Sequence, residues 1–190
     1  MREEVLSRRL RGVERHGEDL NIALMTEGQD PSKKNANAMR GLRNMMLTDL
    51  PADISIQPLK DFPRVFRILM DLPIREHTAT VVSHYNGDAS LYSTSNLGFI
   101  GSVGHESLRA AARDFVKAAE AFHDDSVPTS EFPYPTADRV RFYLVTLHGV
   151  RVIDTDLASI MSGTSKYVSL FAMGQNVLTE QVRLLKRRKP

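Results

Sequence analysis

Cysteine and tryptophan are both absent from this chain of 190 residues. The first absence excludes disulfides, thiolate metal sites and a cysteine nucleophile, and it fits a reducing compartment. The second leaves the core to Leu, Val, Ile, Met, Phe and Tyr. No apolar run approaches the length that spans a bilayer. The opening residues Met1-Arg2-Glu3-Glu4 lack the apolar stretch of a secretory signal. The expectation is therefore a cytoplasmic protein without a transmembrane segment. A strong charge of one sign is missing too. The formal net charge is +2 and the basic residues are dispersed, so no nucleic-acid partner is expected. There is no P-loop, dinucleotide fingerprint or nucleophile elbow.

What the chain does contain is ordinary soluble material, 42% hydrophobic and 25% charged, in a repeating arrangement. Residues 78–122 read strand, tight turn at Asn86-Gly87, strand, glycine-punctuated loop and amphipathic helix. Residues 140–185 read strand, turn at His148-Gly149, further strands and amphipathic helix. The Asn86-Gly87 pair predicts a hairpin with a type I′ turn. In the helix over 105–122, Leu108, Ala111, Ala112, Phe115, Ala118, Ala119 and Phe122 form one seam. Two such ββα units predict an α+β fold, one antiparallel β-sheet with helices packed on it.

Ahead of these units the pattern is helical. A stripe of Val5, Leu6, Leu10 and Val13 predicts a basic helix over 2–16. The run 20–25 fits either strand or helix. Asp30-Pro31 predicts a cap and first turn for a helix reaching Thr48, with Ala38, Met39, Leu42, Met45 and Met46 on its buried face. Those methionines suit a core or an adaptable partner surface. Pro51, Pro58 and Pro63 mark a boundary, giving a helical extension at 1–58, an α+β domain at 59–186 and a basic tail at 187–190. Residues 63–71 read as a further helix that Pro73 stops, and 167–173 read as a strand because apolar residues alternate there. The proline-rich segment 123–138 is a long loop, a class of segment that is often functional or disordered.

From Pro63 onward the order is then helix, strand, strand, helix, strand, strand, strand, helix. With the Asn86-Gly87 hairpin, the alanine-rich helix and the meander over 140–185, it resembles the Roadblock family of dynein light-chain-like proteins, within the profilin-like and longin-like folds. The resemblance covers about the last two-thirds of the chain. It implies a non-enzymatic interaction module, a homodimer serving as a platform for partners such as small GTPases, and it supplies no catalytic residue.

Two local features compete with that reading. Gly98, Gly101 and Gly104, with Ser102 and His105, precede the alanine-rich helix. Backbone N–H groups at a helix amino terminus favour anions, so these residues are a candidate anion loop of a sensor domain, with a plain connector as the alternative. Asp154 and Asp156 share a strand face, yet two carboxylates are too few for a hard cation. The histidines lack ligand spacing, so no metal or cofactor is expected. The candidate dimer interface is the strand at 139–147, carrying Arg139, Arg141 and Tyr143, together with the helix carrying Arg109 and Arg113. The tail at 186–189 gives at most weak attraction to a membrane surface. An enzyme whose site gathers residues distant in sequence is the third alternative.

Overall fold

A computed structural model describes residues 33–49, 59–95, 97–101 and 104–188. The expected helix over 2–16, the run at 20–25 and the tail residues 189 and 190 lie outside the described residues. The protein is α+β. Helix α1 (Lys33–Thr48) precedes strands β1 (Val65–Ile74), β2 (His77–His84), β3 (Ala89–Ser93) and β4 (Gly98–Ile100). Helix α2 (Glu106–Glu120) follows, then β5 (Val127–Thr129), β6 (Arg139–Thr146) and β7 (Gly149–Asp156), and finally helices α3 (Leu157–Met161) and α4 (Val168–Arg188).

The strands form one seven-stranded sheet in the order β4-β3-β2-β1-β6-β7-β5, with every neighbouring pair antiparallel. One face carries α2, α3 and α4 over the main core, which includes Ile68, Met70, Val81, Leu91, Phe142 and Leu144. The other face carries α1, which reaches from β3 to β7 over a second cluster of Phe66, Leu69, Val82, Tyr92, Tyr143 and Val145. The sheet is thus covered on both sides. Helix α4 comes so close that a Cβ at Gly174 would sit 2.6 Å from Met70 Sδ and 3.0 Å from Phe115 Cζ.

Several expectations are corrected. Residues 65–74 form the sheet's central strand, not a helix. The strand is buried on both faces, so apolar residues fall at every spacing and its period of two is hidden. Pro73 does not stop a helix. It sits beyond Asp71↔Arg141, the last β1 pair with β6, where no ladder needs its missing N–H on that side. Residues 168–173 open α4 rather than forming a strand, because Leu170, Phe171, Val177, Leu178 and Val182 recur at helical spacing against the core. The segment 123–138 is not all loop, since it contributes β5 at the sheet's edge. Asn86-Gly87 does turn the β2–β3 hairpin, but only Gly87 takes positive φ (90°), so the turn is not type I′. Gly87 N–H donates to His84 O and His84 N–H to Asp88 O, giving a three-residue loop closed by a left-handed glycine. The helix-first order behind the Roadblock likeness is therefore not the order of the chain. Strand β6, which carries the candidate interface residues Arg139, Arg141 and Tyr143, is interior between β1 and β7 and offers no free edge.

Candidate functional site

Side chains on the α1 face of the sheet line up across the strands. Tyr92 lies opposite Thr80, Thr80 opposite Asp71, Asp71 opposite Arg141, and Arg141 opposite Asp154. Charged residues at the centre of a sheet are costly unless they are paired. The partner of Asp71 arrives from above. Helix α1 presents Arg43, whose Nη2 donates to Asp71 Oδ2 at 2.5 Å, while its Nε lies 3.1 and 3.2 Å from the two carboxylate oxygens. Thr80 Oγ1 donates to Asp71 Oδ1 at 2.6 Å and fixes the carboxylate from the side.

The proline-rich segment supplies the remaining wall. Arg43 Nη1 donates to Phe132 O at 2.9 Å, and Pro133 O accepts from Tyr143 Oη at 2.7 Å and from Arg141 Nη1 at 2.9 Å. Pro133 and Pro135 have no N–H, so the backbone here offers chiefly carbonyl oxygens to the cationic groups beneath. The Arg43 guanidinium lies 4.3 Å from the Tyr134 ring centroid and 5.3 Å from that of Tyr143. Phe132 meets Tyr143 edge-on, with centroids 5.9 Å apart.

Arg43 is 1% exposed and Asp71 is fully covered. Burial by itself would lower the Arg43 pKa. The charge and hydrogen bonds of Asp71, with smaller help from Tyr134 and Tyr143, overcome that and leave it raised. Burial likewise pushes the Tyr134 and Tyr143 phenols up, against the pull of Arg43. A second arginine works in the reverse direction. Arg67 on β1 reaches up to the carboxyl end of α1, donating to Met46 O and, at 2.9 Å, to Asp49 O. Its Nε donates to His84 Nδ1 at 3.1 Å. Burial pushes Arg67 down to about 10, outweighing the charge of Asp49 and Tyr92, which act the other way. Both oxygens of Asp71 accept from fixed donors, the guanidinium of Arg43 and the hydroxyl of Thr80.

The residues singled out from sequence do not converge on one place. Arg139, Arg141 and Tyr143 lie on β6, on the α1 face. Arg139 Nε and Arg141 Nη2 grip Asp154 at 2.5 and 2.9 Å. Arg109 and Arg113 lie on α2 across the sheet, where Arg113 donates to Glu106 at 2.8 Å and Arg109 to Asn86 O at 3.2 Å. Gly98 belongs to β4, and Met39 of α1 occupies its side-chain direction, with Sδ 2.8 Å from where a Cβ would stand. Gly101 and Gly104 take positive φ of 89° and 82°, and His105 stands at the α2 N-cap position without a side-chain cap. Ser102 lies outside the described residues. Asp156 caps α3 by accepting from Ser159 N at 2.6 Å. No group of three potential metal ligands occurs among the described residues. No helix among them is long and apolar enough to cross a membrane.

Sequence reasoning missed Arg43, Asp71, Arg67 and Thr80. The pairings span 28 residues for Arg43 with Asp71 and 9 for Thr80 with Asp71, and no local pattern links such positions. The one usable signal was two charges, Arg67 and Asp71, inside an otherwise apolar run. The chain matches no protein-family model, no curated protein and no solved structure.

Proposed function

We propose that the protein is an interaction module that pairs with a second copy through the β4 edge of its sheet. The contrast between the two edges carries this reading. Strand ends are managed in proteins by proline, charge or cover. At one end, β5 has Pro128 as its middle residue, which offers an incoming strand no N–H. At the other, Gly98-Phe99-Ile100 contains neither proline nor charge. Phe99 is anchored in the core while Ile100 is 62% exposed. An antiparallel strand added to itself obeys a two-fold axis, the commonest symmetry of assemblies. The pair would form a platform with helices on both faces of one continuous sheet. This reading stands on the edge, not on the Roadblock likeness.

Sedimentation equilibrium tests it. The native chain is expected to be a dimer at micromolar concentration. Ile100→Lys places like charges across the axis and is expected to raise the dissociation constant by roughly tenfold or more. Val127→Lys on the opposite edge is the control and should leave the mass unchanged. A native chain that stays monomeric at high concentration overturns the proposal, as does equal dissociation by both variants.

A further inference from the structure

We propose that the pocket around Asp71 is a guanidinium-recognition site, that Arg43 fills it as an internal ligand, and that an arginine-bearing helix of another protein displaces α1 from it. The walls match the shape of a guanidinium. A carboxylate takes the Nε and Nη2 edge, Phe132 O takes Nη1, and the Tyr134 and Tyr143 rings lie within reach of the cation. Thr80 holds the carboxylate in place. A planar fork satisfies all of these at once, and a compact ammonium does not.

The way α1 is attached makes it exchangeable. Helix α2 buries Leu108, Ala111, Ala112, Phe115, Val116 and Ala119. Among the described side chains of α1, only Arg43 and Leu47 are buried to that degree, while Met39, Leu42 and Met46 are half-covered. Asn35, Asn37, Gly41 and Asn44 each lower the intrinsic helix propensity of α1. Its docking thus combines one directional pairing and Arg67 at its last carbonyls with an apolar stripe, Met39, Leu42, Met46 and Leu47, of which only Leu47 is fully covered. A buried ion pair adds little net stability over an apolar contact but discriminates strongly between partners. The occupant this selects is a helix with an arginine flanked by apolar residues one turn away on each side, the pattern of Met39, Arg43 and Leu47. The pocket lies on the sheet's face and the proposed dimer contact on its edge, so the two readings fail separately.

Two experiments on the full chain test this. In the first, Arg43→Ala is melted with and without millimolar methylguanidinium. The variant is expected to lose on the order of 10 °C. Methylguanidinium should restore several degrees, and methylammonium should not. Arg43→Ala combined with Asp71→Asn should respond to neither, and equal rescue by both cations or in the double variant overturns the assignment. The second experiment keeps Arg43 and so does not depend on that variant folding. The chain has no cysteine, so Met45→Cys, on the exposed side of α1, accepts a single spin label. A synthetic peptide of residues 33–49 should mobilise the label, and the same peptide with Arg43→Lys should not. Met39→Cys with Gly98→Cys, oxidised first so that the one thiol left, Asn44→Cys, alone takes the label, should bolt α1 to β4 and abolish the response. Equal action of the two peptides sinks the proposal. So does a Met39–Gly98 cross-link that forms between chains, which would reassign the pocket to the helix of a second copy.

Discussion

Arg43 and Asp71 stand 28 residues apart in the chain and 2.5 Å apart in the fold, with the guanidinium of a helix seated on a carboxylate of the sheet's central strand. Breaking such a pair leaves an unpaired buried charge. Arg43→Ala and Asp71→Ala are each expected to cost about 3–5 kcal/mol in urea unfolding. Replacing both partners, as Arg43→Met with Asp71→Leu, removes the charge that was stranded. The double variant should therefore be more stable than either single one. A double variant whose loss equals the sum of the single losses would show that the pair is not coupled.

The buried phenols set an alkaline limit. Tyr92, Tyr134 and Tyr143 all have pKa values raised above the ordinary 10.0, burial being the largest cause for each. The folded chain then keeps protons that the unfolded chain releases. Their contribution is fully present below pH 10.0 and is lost as pH climbs through the raised values. Each phenol steepens the fall by at most about 1.4 kcal/mol per pH unit. Tyr143→Phe should flatten the loss of stability above pH 10.0. Urea titrations at successive pH values, followed by circular dichroism, measure the slope.

Two glycines should respond differently to the same added methyl group. At Gly174 a Cβ meets Met70 Sδ at 2.6 Å and Phe115 Cζ at 3.0 Å, both side chains buried between α4 and the sheet. Alanine normally favours a helix interior by about 1 kcal/mol. Overpacking is expected to win here, with Gly174→Ala destabilising by about 1–3 kcal/mol. At Gly98 the near atoms are the flexible end of Met39, which can swing toward solvent. Gly98→Ala should cost less than about 1 kcal/mol and speed hydrogen exchange in α1. Thermal melts of the two variants separate these outcomes.

Glu120 and its neighbour Arg64 offer a contrast between structural and surface charge. Glu120 Oε1 accepts from the Arg64 and Val65 amides at 2.9 and 2.6 Å, holding the start of β1, and Oε2 accepts from Arg64 Nε at 3.1 Å. Removing Glu120 leaves the Val65 amide without that acceptor, at a cost of about 1–3 kcal/mol. Arg64 is partly solvated and pairs with the exposed Asp124 as well. Arg64→Ala should cost less than about 1 kcal/mol. Chemical denaturation of the two alanine variants gives the ranking, and equal losses would contradict it.

The parts of the fold legible in the sequence were those whose faces differ. The seam of α2 and the β6–β7 hairpin announce themselves because one side is apolar and the other polar, or because a turn residue interrupts them. Strand β1 gave no such contrast. Its Arg67 and Asp71 looked like the polar side of a helix, when each is buried and satisfied by groups far along the chain. The start of α4 misled for the opposite reason. Residues 168–173 alternate, and the helical period shows only when Leu170 and Phe171 are read together with Val177, Leu178 and Val182. The aromatic, proline-rich segment stood out as a long loop, and its carbonyls accept from Arg43, Arg141 and Tyr143. The face it covers was not legible, because that depends on where β6 sits in the sheet.

Pro128 has a consequence for the size of any assembly. Open-ended polymers need two complementary termini on every building block. If the β4 edges pair as proposed, Pro128 on the opposite flank disfavours further edge-to-edge addition. Pro128→Thr restores an N–H in β5 and is expected to favour edge-to-edge association.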